Sequence, residues 1–315
     1  MNMGKVILAG GSGFLGRAAV RELVSHHYEV VVLTRGPRQE PHDDSVRRVL
    51  WDGRSDGDWS RELEGARAVV NFTGRNVNCR YNARNRREIL ESRIDSVRAI
   101  DRAVLACRTP PGVMVQTATL AILGDSGDAE RDESAPPGVG FSPDVAKAWE
   151  AAFNETPTPA TRRVLLRISF ALGREGGALG TLARLTKCFL GGTVGSGRQY
   201  LSWIHVGDLT RLIRWTIENE HARGTYNATS PGPVRNAEFM RELRRALHRP
   251  WSPPAPAWAV RVGSIVLRTE PELALWGRRG IPRRLSEEGF EFQFADLRDA
   301  LNDIYRRASE GPVVR

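Results

Sequence analysis

The residues whose types and spacing could do chemistry begin near the amino end, with Ala9-Gly10-Gly11-Ser12-Gly13-Phe14-Leu15-Gly16. Gly11 and Gly13 permit a tight turn that brings the main chain close to a bound anion, and Gly16 lets a following helix lie close on the preceding strand. The N–H groups of such a turn, backed by the positive end of the helix dipole, bind a diphosphate. Ser12 shapes the turn, since nothing places a base beside it to make it a nucleophile. Further on, a β-branched run ends in Leu33-Thr34-Arg35. A carboxylate there would hold ribose hydroxyls and repel a 2′-phosphate; Arg35 attracts one and can grip it bidentately, and Arg17 adds a second cation. Gly10, Gly11, Ser12, Gly13, Phe14, Leu15, Gly16, Arg17, Thr34 and Arg35 are therefore expected to bind NADP(H) in preference to NAD(H).

Positioning these residues requires a strand, the glycine turn, a helix and a second strand. The apolar run Lys5 to Ala9 reads as a buried parallel strand. Val20, Leu23, Val24 and His27 fall at helical steps from Gly16, and Glu29 to Leu33 follows as a strand. Pro37 to Asp44 reads as a loop on the cofactor side. Val46 to Trp51 is a third strand whose end puts Asp52 near an adenine edge. A fourth, Ala66 to Phe72, runs into Thr73-Gly74-Arg75-Asn76. Ligands of open parallel sheets bind beyond the carboxyl ends of the strands, so Phe72, Thr73 and Gly74 are expected under the middle of the cofactor.

The rest of the chain continues the alternation. Asn82 to Ala106 is a long helix, Val113 to Thr117 a strand, and 125–140 a Gly-, Asp- and Pro-rich loop suited to covering an active site. Pro143 opens a helix, and Arg163 to Phe170 is a sixth strand. Beyond Gly173 the character changes to glycine-rich loops and short helices (Leu179 to Leu190, Asp208 to Asn219, Asn236 to Leu247, Ala255 to Leu267, Asp296 to Arg307), with a strand at Gly224 to Asn227. The expected fold is α/β, a doubly wound parallel Rossmann sheet with a smaller, mostly helical C-terminal lobe. Residues 1–170, joined by 204–228, form the cofactor domain, and 171–315 the substrate-binding lobe.

The chain has 315 residues and a net charge of +9. Lys5, Lys147 and Lys187 are its only lysines, and the arginines are interleaved with acids along the whole length. That spread lacks the clustered footprint nucleic-acid binding needs. No apolar run approaches the ~20 residues of a membrane helix. Cys79, Cys107 and Cys188 have no metal spacing and suit a reducing cytoplasm. The expected partner is a small-molecule substrate, with a homodimer admitted. Arg75, Asn76 and Arg80 are candidates for an anionic substrate, as are Arg198 and Gln199 from the second lobe. His205 reads as a hydrogen-bonded structural histidine. Arg278, Arg279, Arg283 and Arg284 read as a charged helix surface.

The glycine turn, six strands and the later Trp203-Ile204-His205-Val206-Gly207-Asp208-Leu209 together resemble an extended short-chain dehydrogenase/reductase. More narrowly, Asn71-Phe72-Thr73-Gly74, the run 86–93, Gly195-Ser196-Gly197-Arg198-Gln199 and the tail Gly289-Phe290-Glu291-Phe292 resemble bacterial NAD-dependent epimerase-family oxidoreductases with a C-terminal domain of unknown function. The resemblance spans essentially the whole chain, and within the second segment Ser92 is assigned to the cofactor. Chemistry in that superfamily uses a Ser/Thr, a Tyr that exchanges a proton, and a Lys four residues later. Thr119 falls at the Ser/Thr position. The Tyr and Lys positions fall on Ser142 and Ala146, and Lys147 is one residue off, about 100° round a helix.

Thr119 and Lys147 are the catalytic candidates that remain, with Asp144 nearby. The resemblance implies an atypical NADP-dependent oxidoreductase on an unknown carbonyl or hydroxyl substrate. Two alternatives stay open: a non-catalytic NADP(H) sensor or partner-binding protein, and a nucleotide-sugar epimerase or dehydratase.

Overall fold

The computed structural model describes residues 2–36, 46–266 and 270–306, with nothing said of the Val266 side chain. The loop expected over 37–44 lies outside them, as do Leu267 and Arg307 at the ends of two expected helices.

The first half alternates β1 (Lys5–Ala9), α1 (Phe14–Ser25), β2 (Glu29–Thr34), β3 (Val46–Leu50), β4 (Ala68–Asn71), α2 (Ala83–Ala106), β5 (Val113–Thr119), α3 (Phe141–Glu155) and β6 (Arg162–Ile168). Next come β7 (Phe170–Leu172), α4 (Gly177–Lys187), β8 (Tyr200–Leu201), β9 (Trp203–His205), α5 (Val206–Glu218) and β10 (Gly224–Ala228). The chain ends with β11 (Val234–Arg235), α6 (Asn236–Ala246), α7 (Ala257–Val266), α8 (Glu272–Leu275), α9 (Arg283–Glu287) and α10 (Leu297–Arg306).

Seven strands form one parallel sheet in the order β3-β2-β1-β4-β5-β6-β10. Alternate side chains of each central strand point to opposite faces, and both faces are covered. Val6, Leu8, Val30 and Val32 pack with α1 and α5 through Leu23, Leu209 and Ile213. Ile7, Val31, Val69 and Met114 pack with α2 and α3 through Val97, Ile100, Trp149 and Phe153. This explains why β1 reads as an unbroken apolar run. A separate core of Leu172, Leu179, Trp203, Phe239, Leu243 and Leu301 holds the smaller lobe.

The sixth strand departs from expectation by breaking at Ser169. Ser169 N donates to Ala228 O at 3.1 Å, and Phe170 N donates to Ser202 O at 3.1 Å. The chain is thus handed from the large sheet to a second ladder, where β7 pairs with β9. Helix α5 begins at Val206, earlier than expected, because the His205 ring caps it: Gly207 N donates to Nδ1 at 3.1 Å. Asp208, fully buried, accepts from Gln293 N at 2.8 Å and Phe294 N at 2.9 Å, pinning the tail to the first turn of α5.

The charged helix surface expected of Arg278, Arg279, Arg283 and Arg284 does not form as a unit. Only Arg283 and Arg284 lie on α9. Arg278 and Arg279 are extended, because 276–281 pairs with the loop after β5: Arg131 N donates to Arg279 O at 2.9 Å and Ile281 N to Arg131 O at 3.0 Å. With Ser126 N donating to Gly277 O at 2.9 Å and Asn227 N to Glu133 Oε1 at 3.0 Å, the loop 125–140 is fixed between the smaller lobe and β10.

Candidate functional site

At the carboxyl end of β1 the turn is tighter than the glycine spacing alone suggests. Gly10 has φ 75°, and a Cβ there would lie 3.1 Å from Phe72 C and Thr73 N. The turn therefore presses on the loop after β4, and Phe72 N donates to Ala9 O at 2.8 Å. A Cβ on Gly16 would sit 2.5 Å from Gly11 Cα, so the first turn of α1 rests directly on the glycine loop. Gly13 is different: the nearest atom to its Cβ position is Gly10 O at 3.6 Å. No side chain caps α1 at Gly13, so first-turn N–H groups of Phe14 and Leu15 remain for an anion.

The surrounding side chains suit the same ligand. Arg17 Nη1 donates to Ser12 O at 2.9 Å, which holds the cation against the turn. Thr34 Oγ1 donates to Ser12 Oγ at 3.2 Å, and Arg35 follows it, exposed. The Phe14 ring is engaged elsewhere, because Cβ atoms on Gly173 and Gly176 would lie 2.7 and 2.8 Å from it. With the Phe14 ring so placed and Leu15 packed on the core, these two residues have their main-chain N–H groups to offer a ligand. Thr73 Oγ1 is buried without a hydrogen-bond partner among the described residues, beside Gly10 and Gly53. An orphaned hydroxyl, an uncapped helix and an open Gly13 fit a dinucleotide laid over this edge.

Three residues assigned to the cofactor have other work. Asp52 Oδ1 accepts from Ser55 N at 2.8 Å and Arg54 N at 2.9 Å, and Oδ2 from Ser55 Oγ at 2.7 Å, which holds its carboxyl down at about 2. It closes its own turn. Ser92 Oγ accepts from Arg75 N at 3.0 Å and donates to Ile89 O at 3.2 Å, so it braces the loop 73–75 from behind. Gly74 makes room for Arg93, whose Cζ would lie 3.3 Å from a Cβ there. Arg93 stacks on Trp149 at 4.9 Å, and burial lowers its pKa to about 10.

The catalytic candidates separate. Thr119 Oγ1 accepts from Ala121 N at 3.2 Å and keeps its own hydrogen for another acceptor. Lys147 pairs with Asp144 at 2.6 Å, and its side chain is 44% exposed. The position beside it that packs inward is Ala146, buried against Leu120, Ile122 and Leu123. The helical offset therefore turns Lys147 towards solvent while Ala146 packs inward.

Ser142, at the tyrosine position, donates to Glu272 Oε1 at 2.9 Å. Tyr81 lies against it, arriving from the loop before α2. The Tyr81 ring packs edge-on to Phe141 at 4.7 Å, and burial pushes its phenol up to about 12, eased by the Ser142 hydroxyl. Tyr81 N donates to Glu270 Oε1 at 2.6 Å, which joins this loop to the smaller lobe. Spacing rules for α3 miss this phenol because it comes from another element. Its one signal is that no other tyrosine stands between Tyr28 and Tyr200.

Apart from Arg198, the anion candidates outside the cradle are engaged within the protein. Arg75 pairs with Glu88 and donates to Asn85 Oδ1 at 2.8 Å, Asn76 accepts from Asn78 N at 2.8 Å, and Arg80 approaches Glu270 at 3.8 Å. Gln199 Nε2 donates to Val194 O at 2.9 Å and Ala274 O at 3.2 Å, while Arg198 is exposed. Among the described residues no group of three or more His, Cys, Asp or Glu is placed to hold a metal, and no helix is long and apolar enough to cross a membrane.

Residues 6–229 match the model of the NAD dependent epimerase/dehydratase family, and 255–304 match a domain of unknown function, DUF1731. Epimerase family protein SDR39U1 of Bos taurus is 32% identical, with 95% of this chain and 99% of that protein covered. Epimerase family protein YfhF of Bacillus subtilis is 30% identical over 95% of this chain and 97% of its own length. The crystal structure of human SDR39U1 (isoform 2) with NADPH superposes with a TM-score of 0.86 at 31% identity, covering 96% of this chain and 99% of that one.

Proposed function

Since this chain belongs to the NAD dependent epimerase/dehydratase family, we propose that it is an NADP(H)-dependent oxidoreductase that acts on a small carbonyl or hydroxyl compound without a Tyr-and-Lys pair on α3. The observation that carries the reading is Tyr81 beside Ser142, a protonated phenol where the superfamily keeps its proton donor. For the cofactor, support comes from Arg35 and Arg17 flanking the turn, from the orphaned Thr73 hydroxyl, and from NADPH in the human relative's crystal structure.

The cofactor, when bound, supplies or takes the hydride. The chain's own residues then handle one proton. Tyr81 gives it to the substrate oxygen during reduction, with Thr119 donating a hydrogen bond to that oxygen. Ser142 and the half-buried Glu272 lead from the phenol towards solvent. In this reading residues 1–170 with 204–228 hold the cofactor, and 171–315 face the substrate. The free thiols Cys79, Cys107 and Cys188 agree with a cytoplasmic setting, and a second copy is the admitted partner.

NADPH oxidation against ketones, aldehydes, quinones and sugar nucleotides tests the function. Turnover of one carbonyl class is expected. Tight NADPH binding with no turnover of any class would leave the cofactor sensor instead.

A further inference from the structure

We propose that Arg278 anchors a substrate carboxylate, so that this site takes oxo or hydroxy carboxylic acids with an apolar body. The inference rests on the oxidoreductase reading in one respect only, that the reacting oxygen is the one beside Tyr81.

The main chain around Arg278 is fixed on three sides. Gly277 N donates to Asp125 Oδ1 at 3.2 Å, Arg278 N to Tyr200 O at 2.8 Å, and Ser202 Oγ to Arg278 O at 2.8 Å. Among the described residues its side chain has no such partners. Nε and Nη2 are shut off from solvent and make no hydrogen bond among the described residues. Those two nitrogens form the side-on edge of a guanidinium, the edge that matches a carboxylate. The same protein shows that edge closed on Arg167, where Nε and Nη2 donate to the two Glu150 oxygens at 2.8 Å each.

The acids near Arg278 are committed elsewhere: Glu272 accepts from Ser142 Oγ, and Asp125 from Gly277 N. They act on the guanidinium only through space, as does Tyr81, while burial lowers its pKa. A buried cation without a hydrogen-bonded counter-ion is costly, and an entering carboxylate removes that cost. The nearby acids disfavour a dianion, which argues for a carboxylate over a phosphate ester.

Space for the rest of such a molecule opens at Trp276, two residues before Arg278 in the chain, and at Asp125, which acts on the guanidinium through space. A cavity of ≈ 350 Å³ is lined by Leu123, Pro136, Pro137, Val139 and Trp276, with Asp125 and Arg131 as its charged members. Arg131 Nε is also buried without a partner. The cavity meets α3, because a Cβ on Gly140, its N-cap, would lie 2.9 Å from the Trp276 ring.

Calorimetry on the NADP⁺-loaded protein with acetate, butyrate, acetamide, butyramide and inorganic phosphate, at constant ionic strength, tests this. Expected are acids at least tenfold tighter than their amides, butyrate tighter than acetate, and at least a tenfold loss in Arg278→Gln with partial recovery in Arg278→Lys. Equal binding of acids and amides, phosphate tighter than either acid, or unchanged binding in Arg278→Gln overturns it. If that variant does not fold, the acid-against-amide comparison on the natural chain decides. Repeating the titrations without nucleotide separates the two proposals. Acid binding without NADP(H) binding sinks only the oxidoreductase, and turnover of neutral carbonyls without acid binding sinks only the carboxylate anchor.

Discussion

Ser142 Oγ donates to Glu272 Oε1 at 2.9 Å, joining the first turn of α3 to α8 in the smaller lobe. The hydroxyl at the expected tyrosine position is therefore oriented by the other lobe, with Tyr81 beside it. Tyr81→Phe should lower turnover about 10²- to 10⁴-fold, the usual worth of a positioned proton donor. NADPH affinity should stay within about twofold, since Tyr81 has no part in the cradle. Steady-state kinetics with calorimetry on the same sample reads both, and equal losses in kcat and nucleotide affinity would make Tyr81 a folding residue.

Lys147 gives the opposite expectation. Its exposed pair with Asp144 is a surface contact of small net value. Lys147→Ala should leave turnover, NADPH affinity and melting temperature close to those of the natural chain. A hundredfold fall in kcat would return the lysine to the site.

Gly13 and Gly16 lie in one turn but should fail in different ways. In Gly16→Ala the new methyl meets Gly11 Cα at 2.5 Å, so α1 must move off the loop. A loss of about 1–3 kcal/mol of stability is expected from such overpacking. Gly13→Ala meets nothing nearer than 3.6 Å, so its stability should hold while its nucleotide affinity falls. Urea melts and NADPH titrations of both variants distinguish steric support from ligand contact.

Alkaline stability follows from the tyrosines. Tyr28, Tyr81, Tyr226 and Tyr305 are each pushed up to about 12, with burial the largest cause. Unfolded phenols lose their protons near pH 10, before the folded ones do, so above that pH the native state binds more protons. Stability from these groups should be fully present below pH 10 and drain away as pH rises towards 12. Denaturant midpoints from pH 8 to 12 would show it, and a flat profile above pH 10 would contradict it.

Much of the cofactor edge was legible from residue types alone, because a glycine turn between two β-branched runs has few folded solutions. Arg17, Ser12 and Thr34 converge there as their spacing implies. Asp52 and Ser92 were less readable, since their side chains answer to Ser55 N and Arg75 N, main-chain groups whose direction is set by the fold. Tyr81 and Arg278 were least so. Each stands on a loop that only long-range pairing fixes, one tied to Glu270 and the other to Tyr200.

The pairing of β10 with β6 sets a limit on dividing this protein. Val164 to Ile168 are hydrogen-bonded by residues 224–228, which arrive only after the chain has passed through β7 to α5. A chain cut after residue 170 would leave β6 as a bare apolar margin, with Val164, Leu165 and Leu166 in it. Such a margin is a template for strands of other molecules. That fragment should therefore precipitate when made alone, and light scattering of it against the whole chain would show it.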